Sequence, residues 1–531
     1  MRKFSSYGPV DKDVHFYAPR EDLIDRTLNS LVGENSQKDG HYITVWAPRQ
    51  TGKSWLMGEV LRKIRKTGKY EAGAFSIESA KQEKNEEELV TLFCQKIAAA
   101  FGKKNLPQVK KIKEIPSLFT KQYFQKPVIL VIDEFDALEE NFINRFTSIF
   151  RDIYVNRSYE KERRKKDRGN LLHGLALVGV RSVLGIGNLK GSPFNVQRSL
   201  HVSNLTCEEV NGLFKWYEKE SGQQVEQQVI DKVFAETRGQ PGLTCWFGEL
   251  LTETYNKEKN KPITPANFTK AYTAATSLLP NANVINIISK AKQEPYRETV
   301  LELFRTDRAI DFKFDNPHIN FLYMNGVIEP EEVSDTEITV RFANPFLHKR
   351  LFNFFSDQLF DVMGKLVEPF DSLEDAVTEE SLNIGNILRR YQTYLEKNRR
   401  WLFKEAPRRK DMRIFEAVFH FNLYMYLFKF LENKGADVYP EFPTGNGEID
   451  ILVKYKNNTY GLELKSYTDV GGYKRALDQA ARYGERLRLK EITLVFFIES
   501  IDEENRRKYE AAYVEKSSAV KVLPVFISTG E

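Results

Sequence analysis

Two groups of residues in this chain have the types and spacings that chemistry needs. Near the start, Ala47-Pro48-Arg49-Gln50-Thr51-Gly52-Lys53-Ser54 joins a glycine, a lysine and a hydroxyl in one short loop. Such a loop can hold a nucleotide's phosphates, because backbone N–H groups and a helix N-terminus cradle the anion. Lys53 would set a cation on the β- and γ-phosphates of ATP and Ser54 would offer its hydroxyl to Mg2+, with Gln50, Thr51 and Gly52 completing the loop. Near the other end stand Glu448-Ile449-Asp450 and Glu463-Leu464-Lys465. Asp450 and Glu463, with a carbonyl and waters, suit Mg2+ or Mn2+. A metal so held generates hydroxide beside a scissile phosphate.

The elements that must position the first group are legible. Residues 41–46 are rich in β-formers and read as a strand. Pro48 breaks it, Gly52 permits a tight turn, and Trp55, Leu56, Val60, Leu61 and Ile64 recur at helical spacing. The apolar run 128–132 ends in Asp133 and Glu134. A strand buried on both faces reads this way, and acids at its C-terminal end lie where open α/β sheets bind ligands. Asp133 would hold the Mg2+ shell, and Glu134 would orient and deprotonate the attacking water. A third strand, 175–180, ends at Arg181, which either reads the γ-phosphate or is an ordinary surface arginine. Residues 203–250 read as helices, interrupted by Thr237-Arg238-Gly239-Gln240-Pro241-Gly242.

For the second group, Arg413-Ile414-Phe415-Glu416 opens an apolar helix that runs to about Asn433 and is closed by Gly435. Strands follow, and a two-residue turn at Asn457-Asn458 would join the two that carry the acids. That turn sets Asp450 opposite Lys465 and Leu452 opposite Glu463, leaving Asp450 and Glu463 as diagonal neighbours roughly 7–8 Å apart. Alternation places Asp450, Glu463 and Lys465 on one face. The next helix carries Gln479 and Tyr483 one turn apart. The plainer alternative is an exposed hairpin with a surface ion pair.

At 531 residues the chain calls for about three or four domains. Hydrophobic residues at 41% and charged residues at 29% are ordinary for a globular protein, and a net charge of +5 neither requires nor excludes nucleic acid. Cys94, Cys207 and Cys245 are widely spaced with no CxxC, so a disulfide framework is excluded and a reducing, cytoplasmic setting is expected. The N-terminus has no apolar h-region, and no run is long enough to span a bilayer, so no membrane partner is expected. Between 397 and 413 the cations Lys397, Arg399, Arg400, Lys404, Arg408, Arg409, Lys410 and Arg413 outweigh Glu405 and Asp411, beside Trp401. This stretch either tracks phosphates or is a solvated linker. The run 161–168 reads as a loop.

Residues 10–265 resemble the AAA-like ATPases related to the STAND group. The resemblance rests on APRQTGKS, with Ala47 in the usual first glycine slot, and on VILVIDEFD, LVGVR, Ser192-Pro193-Phe194-Asn195 and GQPG. It implies base-side contacts at Gly239 and Pro241, and a homo-oligomer with an arginine finger from a neighbouring subunit. Arg145, Arg151 and Arg198 all stay open for that role. Residues 266–356 resemble the winged-helix domain that follows the lid in such ATPases. Residues 411–531 resemble the PD-(D/E)xK, restriction-endonuclease-like nucleases: ID-x12-ELK, with Ile449 at the nominal proline, then Gln479-x3-Tyr483. That resemblance makes Glu416 the leading-helix acid that completes the metal shell, with Glu448 a weaker candidate. The expected architecture is α/β: ATPase core 1–202, helical lid 203–265, winged-helix-like domain 266–356, helical connector 357–410, nuclease fold 411–531. The expected activity is an ATP-dependent or ATP-regulated DNA endonuclease, in defence or mobile-element biology by analogy. Asp450, Glu463, Lys465, Gln479 and Glu134 would be its catalytic residues. The alternatives are a nucleotide-switched nucleic-acid-binding scaffold and an RNA nuclease.

Overall fold

The computed structural model describes residues 1–33, 40–159, 169–179, 198–304, 309–360, 362–367, 372–408, 414–443, 448–467, 469–515 and 519–530. Arg181, the motif 192–195, the run 161–168 and the basic residues 409–413 lie outside the described residues. Contacts divide the chain into two units, Met1–Ile287 with Lys313–Ile328, and Ile288–Phe312 with Glu329–Glu531.

In the first unit β1 (Tyr42–Trp46), β2 (Glu71–Ser76), β3 (Val128–Asp133), β4 (Leu172–Gly179) and β5 (Arg198–His201) form one parallel sheet, ordered β2-β3-β4-β1-β5. Parallel strands need crossovers, and the crossover helices cover both faces. The strand β3 shows the result. Its Ile129 and Val131 share a core with Leu23 of α1 (Glu21–Val32) and with Leu56, Val60 and Ile64 of α2 (Lys53–Lys66). The alternate residues Leu130 and Ile132 share another with Phe93 of α3 (Glu86–Phe101) and with Phe146 and Phe150 of α4 (Glu140–Tyr159). The continuous apolar run in the sequence is thus a strand with two dry faces.

Four helices follow, α5 (Cys207–Ser221), α6 (Gln227–Thr237), α7 (Pro241–Glu249) and α8 (Pro265–Ser277). A capping box of Thr206 and Glu209 opens α5, and Gly222 at φ 74° closes it. The division between units falls within α9 (Ala282–Ala291), and α10 (Tyr296–Leu303) belongs to the second unit. The chain returns to the first unit for α11 (Pro317–Met324). Within 321–328 the sequence suggests a helix that ends at its glycine, and the helix stops at Met324, two residues before it. Gly326 takes φ 73°, and Ile328 already begins β6 (Ile328–Ser334).

In the second unit β6 pairs with β7 (Glu337–Phe342), and α12 (Pro345–Phe360), α13 (Ile384–Leu402) and α14 (Glu416–Leu431) follow. A six-stranded mixed sheet holds β8 (Ala436–Pro443), β9 (Glu448–Tyr455), β10 (Asn458–Ser466), β11 (Glu491–Ile498), β12 (Tyr513–Val514) and β13 (Lys521–Ser528), ordered β12-β13-β11-β10-β9-β8. β8, β9 and β10 run antiparallel, while β11 is parallel to β10 and β13. Helix α15 (Val470–Arg486) links β10 to β11, and its Ala476, Leu477, Ala480 and Ala481 share a core with Leu494 and Phe496. Phe497 stacks instead on Phe419 of α14, at 5.6 Å. A short helix, α16 (Glu503–Tyr509), precedes β12.

The β9–β10 turn differs from expectation. It consists of Lys456 and Asn457, with Lys456 at φ 52°, and Asn458 already pairs with Tyr455. Leu452 therefore faces Gly461, not Glu463, and the ladder between the two strands ends with Leu462 opposite Ile451, short of Asp450. The slip moves each pairing by two residues. Side chains alternate with period two, so every residue keeps its face. No helix among the described residues is long and apolar enough to cross a membrane.

Candidate functional site

The phosphate-loop residues come together as their spacing requires. Gly52 takes φ 88° where the loop enters α2, a conformation that glycine adopts without strain. Thr51 donates from Oγ1 to the Pro48 carbonyl at 2.9 Å, tying the loop to itself. Lys53 is buried, and its Nζ donates to the carbonyls of Ala47 (2.9 Å) and Pro48 (2.8 Å). Burial lowers the pKa of Lys53, and the charges of Glu134, Asp136 and Asp133 work against that loss.

At the end of β3, Asp133 accepts from Ser54 Oγ at 2.6 Å and from the Glu134 N–H at 2.9 Å. The hydroxyl and the carboxylate that would hold Mg2+ are thus side by side and oriented. Glu134 takes φ 54°, and burial pushes its carboxyl up, with Asp136 and Asp133 adding to the effect. A raised carboxylate is the better proton acceptor for a water molecule. Asp136 was not singled out in the sequence, although it is the third acid of Asp133-Glu134-Phe135-Asp136. It lies against the end of β4, where a Cβ on Gly179 would come 2.3 Å from its Oδ1.

Gln240 is the other residue missed by spacing alone. Its Oε1 caps α7 by accepting from the Leu243 N–H at 2.6 Å. Its Nε2 donates to the carbonyls of Arg49 (3.1 Å) and Gln50 (3.3 Å), and the Gly242 N–H donates to the Gln50 carbonyl at 3.0 Å. The start of α7, where Pro241 fills the first turn, therefore clasps the phosphate loop itself. A proline followed by a helix, with glutamine at the cap, is the signal that could have found it. Gly239 sets the approach: it takes φ 68°, and a Cβ there would come 2.0 Å from the Leu205 carbonyl oxygen. Gly239→Ala should therefore lower the unfolding free energy by roughly 2–4 kcal/mol, from left-handed strain and a backbone clash together. Denaturant unfolding of the full chain measures this; an unchanged midpoint would contradict the packing.

The strand leading into the loop is held from two further sides. Trp46 packs on His201 of β5 at 4.4 Å and meets Tyr323 of α11 edge-on at 5.6 Å. A Cβ on Gly326 would lie 2.9 Å from Cβ of Pro48. Burial, and then the charge of Lys53, depress the pKa of His201. Of the arginines considered as fingers, Arg145 pairs with Glu86 at 2.5 Å, Arg151 is half-buried on α4 and Arg198 is exposed on β5.

In the second unit Asp450, Glu463 and Lys465 are all buried, and Glu463 and Lys465 lie beside Leu494 and Phe496, which share the α15 core. Asp450 Oδ2 accepts from the Leu464 N–H at 2.5 Å. Glu463 Oε1 accepts from Lys465 Nζ at 2.9 Å and from Gln479 Nε2 at 3.2 Å, and Gln479 also donates to the Tyr483 hydroxyl at 3.2 Å. Glu463 Oε2 is buried and has no hydrogen-bond partner within bonding geometry among the described residues. Burial, reinforced by the charge of Glu463, pushes Asp450 up to about 7, and burial raises Glu463 as well. Burial works against the charge on Lys465, but Glu463 and Asp450 outweigh it and lift the amine to about 12.

An open carboxylate oxygen beside a second buried carboxylate is a donor set that fits a hard divalent cation. Among the described residues, however, no group of three or more His, Cys, Asp or Glu side chains is placed to hold a metal. Glu416 is buried at the start of α14, where its Oε1 accepts from the Ser466 N–H at 2.8 Å, on the residue after Lys465. Glu448 begins β9, and its side chain lies outside the description. In the basic stretch, Arg399 donates to the Gly530 carbonyl at 2.8 Å, and Trp401 is 44% exposed.

Residues 5–253 match the family model described as an AAA-like domain. The chain carries an AAA-like P-loop ATPase domain. Solved structures with similar folds include a Walker-type ATPase of Pyrococcus abyssi at 13% identity, covering 66% of this chain and 99% of that one, with a TM-score of 0.44. They also include Cdc6p of Pyrobaculum aerophilum, at 13% identity, 67% and 97% coverage and a TM-score of 0.37. The Orc1 protein of Aeropyrum pernix in complex with DNA gives 12%, 64% and 93%, and 0.34. A search of curated proteins returns no match.

Proposed function

We propose that this chain is a nucleotide-regulated, divalent-metal-dependent DNA nuclease, its ATPase domain gating a phosphodiester-cleaving site in the second unit. In the ATPase domain the loop N–H groups and Lys53 bind the β- and γ-phosphates, Ser54 and Asp133 hold Mg2+, and Glu134 takes the proton of the attacking water. Gln240 and Gly242 report the loop's position to the lid through their bonds to Gln50. A homo-oligomer offering Arg145, Arg151 or Arg198 in trans belongs to the same reading.

The observation that carries the nuclease half is Glu463. One of its oxygens is fixed by Lys465 and Gln479, while the other is buried and without a hydrogen-bond partner among the described residues, in a carboxyl whose charge acts on Asp450. A buried carboxylate oxygen left bare is costly unless something binds it. Asp450 and Glu463 would hold Mg2+ or Mn2+, which supplies an activated hydroxide and neutralises charge on the scissile phosphate. Lys465 is fully protonated at neutral pH and stands ready to offset negative charge there. Gln479, tied to Tyr483, fixes the rotamer of Glu463.

A second reading is favoured by one finding, the lack of a third acid or histidine with these two among the described residues. In that reading the second unit binds DNA under nucleotide control without cutting it. The test is incubation of the full chain with supercoiled plasmid and Mg2+, with and without ATP, beside an RNA of matched length. We expect nicking or linearisation of DNA that EDTA abolishes. Binding without cleavage would select the scaffold, and cleavage confined to RNA would reassign the substrate.

A further inference from the structure

Helix α15 presents a row of arginines beside the pocket. At ~100° per residue, Arg475, Arg482 and Arg486 lie within about 60° of Gln479 around the helix. All three are exposed, and Gln479 is half-buried with its amide on Glu463. The opposite face of α15 is its core face, with Ala476, Leu477, Ala480 and Ala481. The row therefore runs along the border between the buried carboxylates and solvent. Arg475 to Arg486 covers ~16 Å at 1.5 Å per residue, a length of backbone that carries several phosphates on one strand.

Neutralisation within the protein is sparse here. Between Val470 and Lys490 six cations stand against two acids, Asp478 and Glu485, which border the row on the side away from Gln479. Asp478 accepts from the Tyr513 hydroxyl at 3.1 Å. Among the described residues Arg475 and Arg482 form no ion pair. The Arg486 guanidinium lies 5.7 Å above the Tyr483 ring, which lends the last arginine a fixed platform next to Gln479. A merely solvated helix face would not need the alignment with Gln479.

We infer that Arg475, Arg482 and Arg486 form a phosphate-binding rail that lays the backbone of duplex DNA along α15 and across Gln479. The choice of DNA rests on the proposed nuclease reading of the adjoining pocket; the rail itself needs only a polyanionic backbone. The test is fluorescence anisotropy of the full chain with a labelled duplex of about 25 base pairs in EDTA, so that binding is read without cleavage. Replacing all three arginines by alanine should weaken binding at least tenfold. It should also reduce the slope of log Kobs against log salt by about 2–3, at roughly 0.9 per lost contact. The triple lysine variant should recover most of the slope, because a phosphate contact needs charge more than shape, and its recovery separates charge loss from misfolding.

An alanine variant with the wild-type slope would overturn the rail. So would a lysine variant that binds no better than the alanine one while unfolding at the wild-type temperature. A steeper slope with an RNA duplex than with DNA would overturn the commitment to DNA. The two readings fail separately. Binding lost with the arginines but no cleavage in Mg2+ leaves the rail and removes the nuclease. Cleavage with an unchanged slope does the reverse.

Discussion

We expect plasmid cleavage in Mg2+ to fall by about 10³-fold when Asp450 is replaced by asparagine, while the folded state becomes no less stable. The first half follows from removing one of two carboxylates that would hold the metal, at a cost of several kcal/mol in the transition state. The second half follows from burial. Asp450 and Glu463 are adjacent and dry, and in the absence of metal their charges repel. Asparagine keeps an oxygen for the Leu464 N–H and carries no charge. The sign with pH is definite. Asp450 is raised from its ordinary 3.8 to about 7, so between those values the folded chain binds a proton that the unfolded chain has released. Wild type therefore loses stability as pH rises through that window, and the asparagine variant is spared this loss. Thermal unfolding of both in EDTA at pH 5 and pH 8 reads the difference. Equal cleavage by the two proteins would remove Asp450 from the site, and a variant that unfolds far earlier at pH 8 would show that its carboxylate is structural.

ATP turnover falls by about 10²–10⁴-fold in Glu134→Gln with nucleotide still bound, whereas Lys53→Ala loses the binding itself. In the proposed mechanism Glu134 is the base, and general-base catalysis is of that size. Glutamine preserves the side-chain volume but cannot take a proton. Lys53 is a buried cation on two loop carbonyls among three acids, and alanine leaves those acids facing the phosphates uncompensated. Phosphate release together with equilibrium binding of a labelled nucleotide separates the two. Turnover like that of wild type in both variants would defeat both assignments.

How much of this was legible beforehand differs between the two units. The phosphate loop was readable because its chemistry is local. Gly52, Lys53 and Ser54 are consecutive, and the apolar run 128–132 leaves a strand no solvated face, so Asp133 and Glu134 must emerge at its end. The partner that the lid supplies was not readable. Gln240 reaches Arg49 and Gln50 across nearly two hundred residues, and nothing in a glutamine's neighbours says which carbonyl it will find. Asp136 is similar: its influence on Lys53 and Glu134 depends on where the turn after β3 points it.

In the second unit the sequence by itself determined the face. Glu463 and Lys465 share one side of the sheet in the expected register and in the observed one, because an even slip cannot turn a strand over. Tertiary structure decided who stands opposite whom. Lys456 takes the left-handed turn position, so Leu452 pairs with Gly461 instead of Glu463. It also decided that α15 would bring Gln479 onto one oxygen of Glu463 and leave the other bare. Periodicity fixes a side chain's direction from its own strand, but a pairing partner is chosen by turn geometry and by the packing of elements distant in the chain.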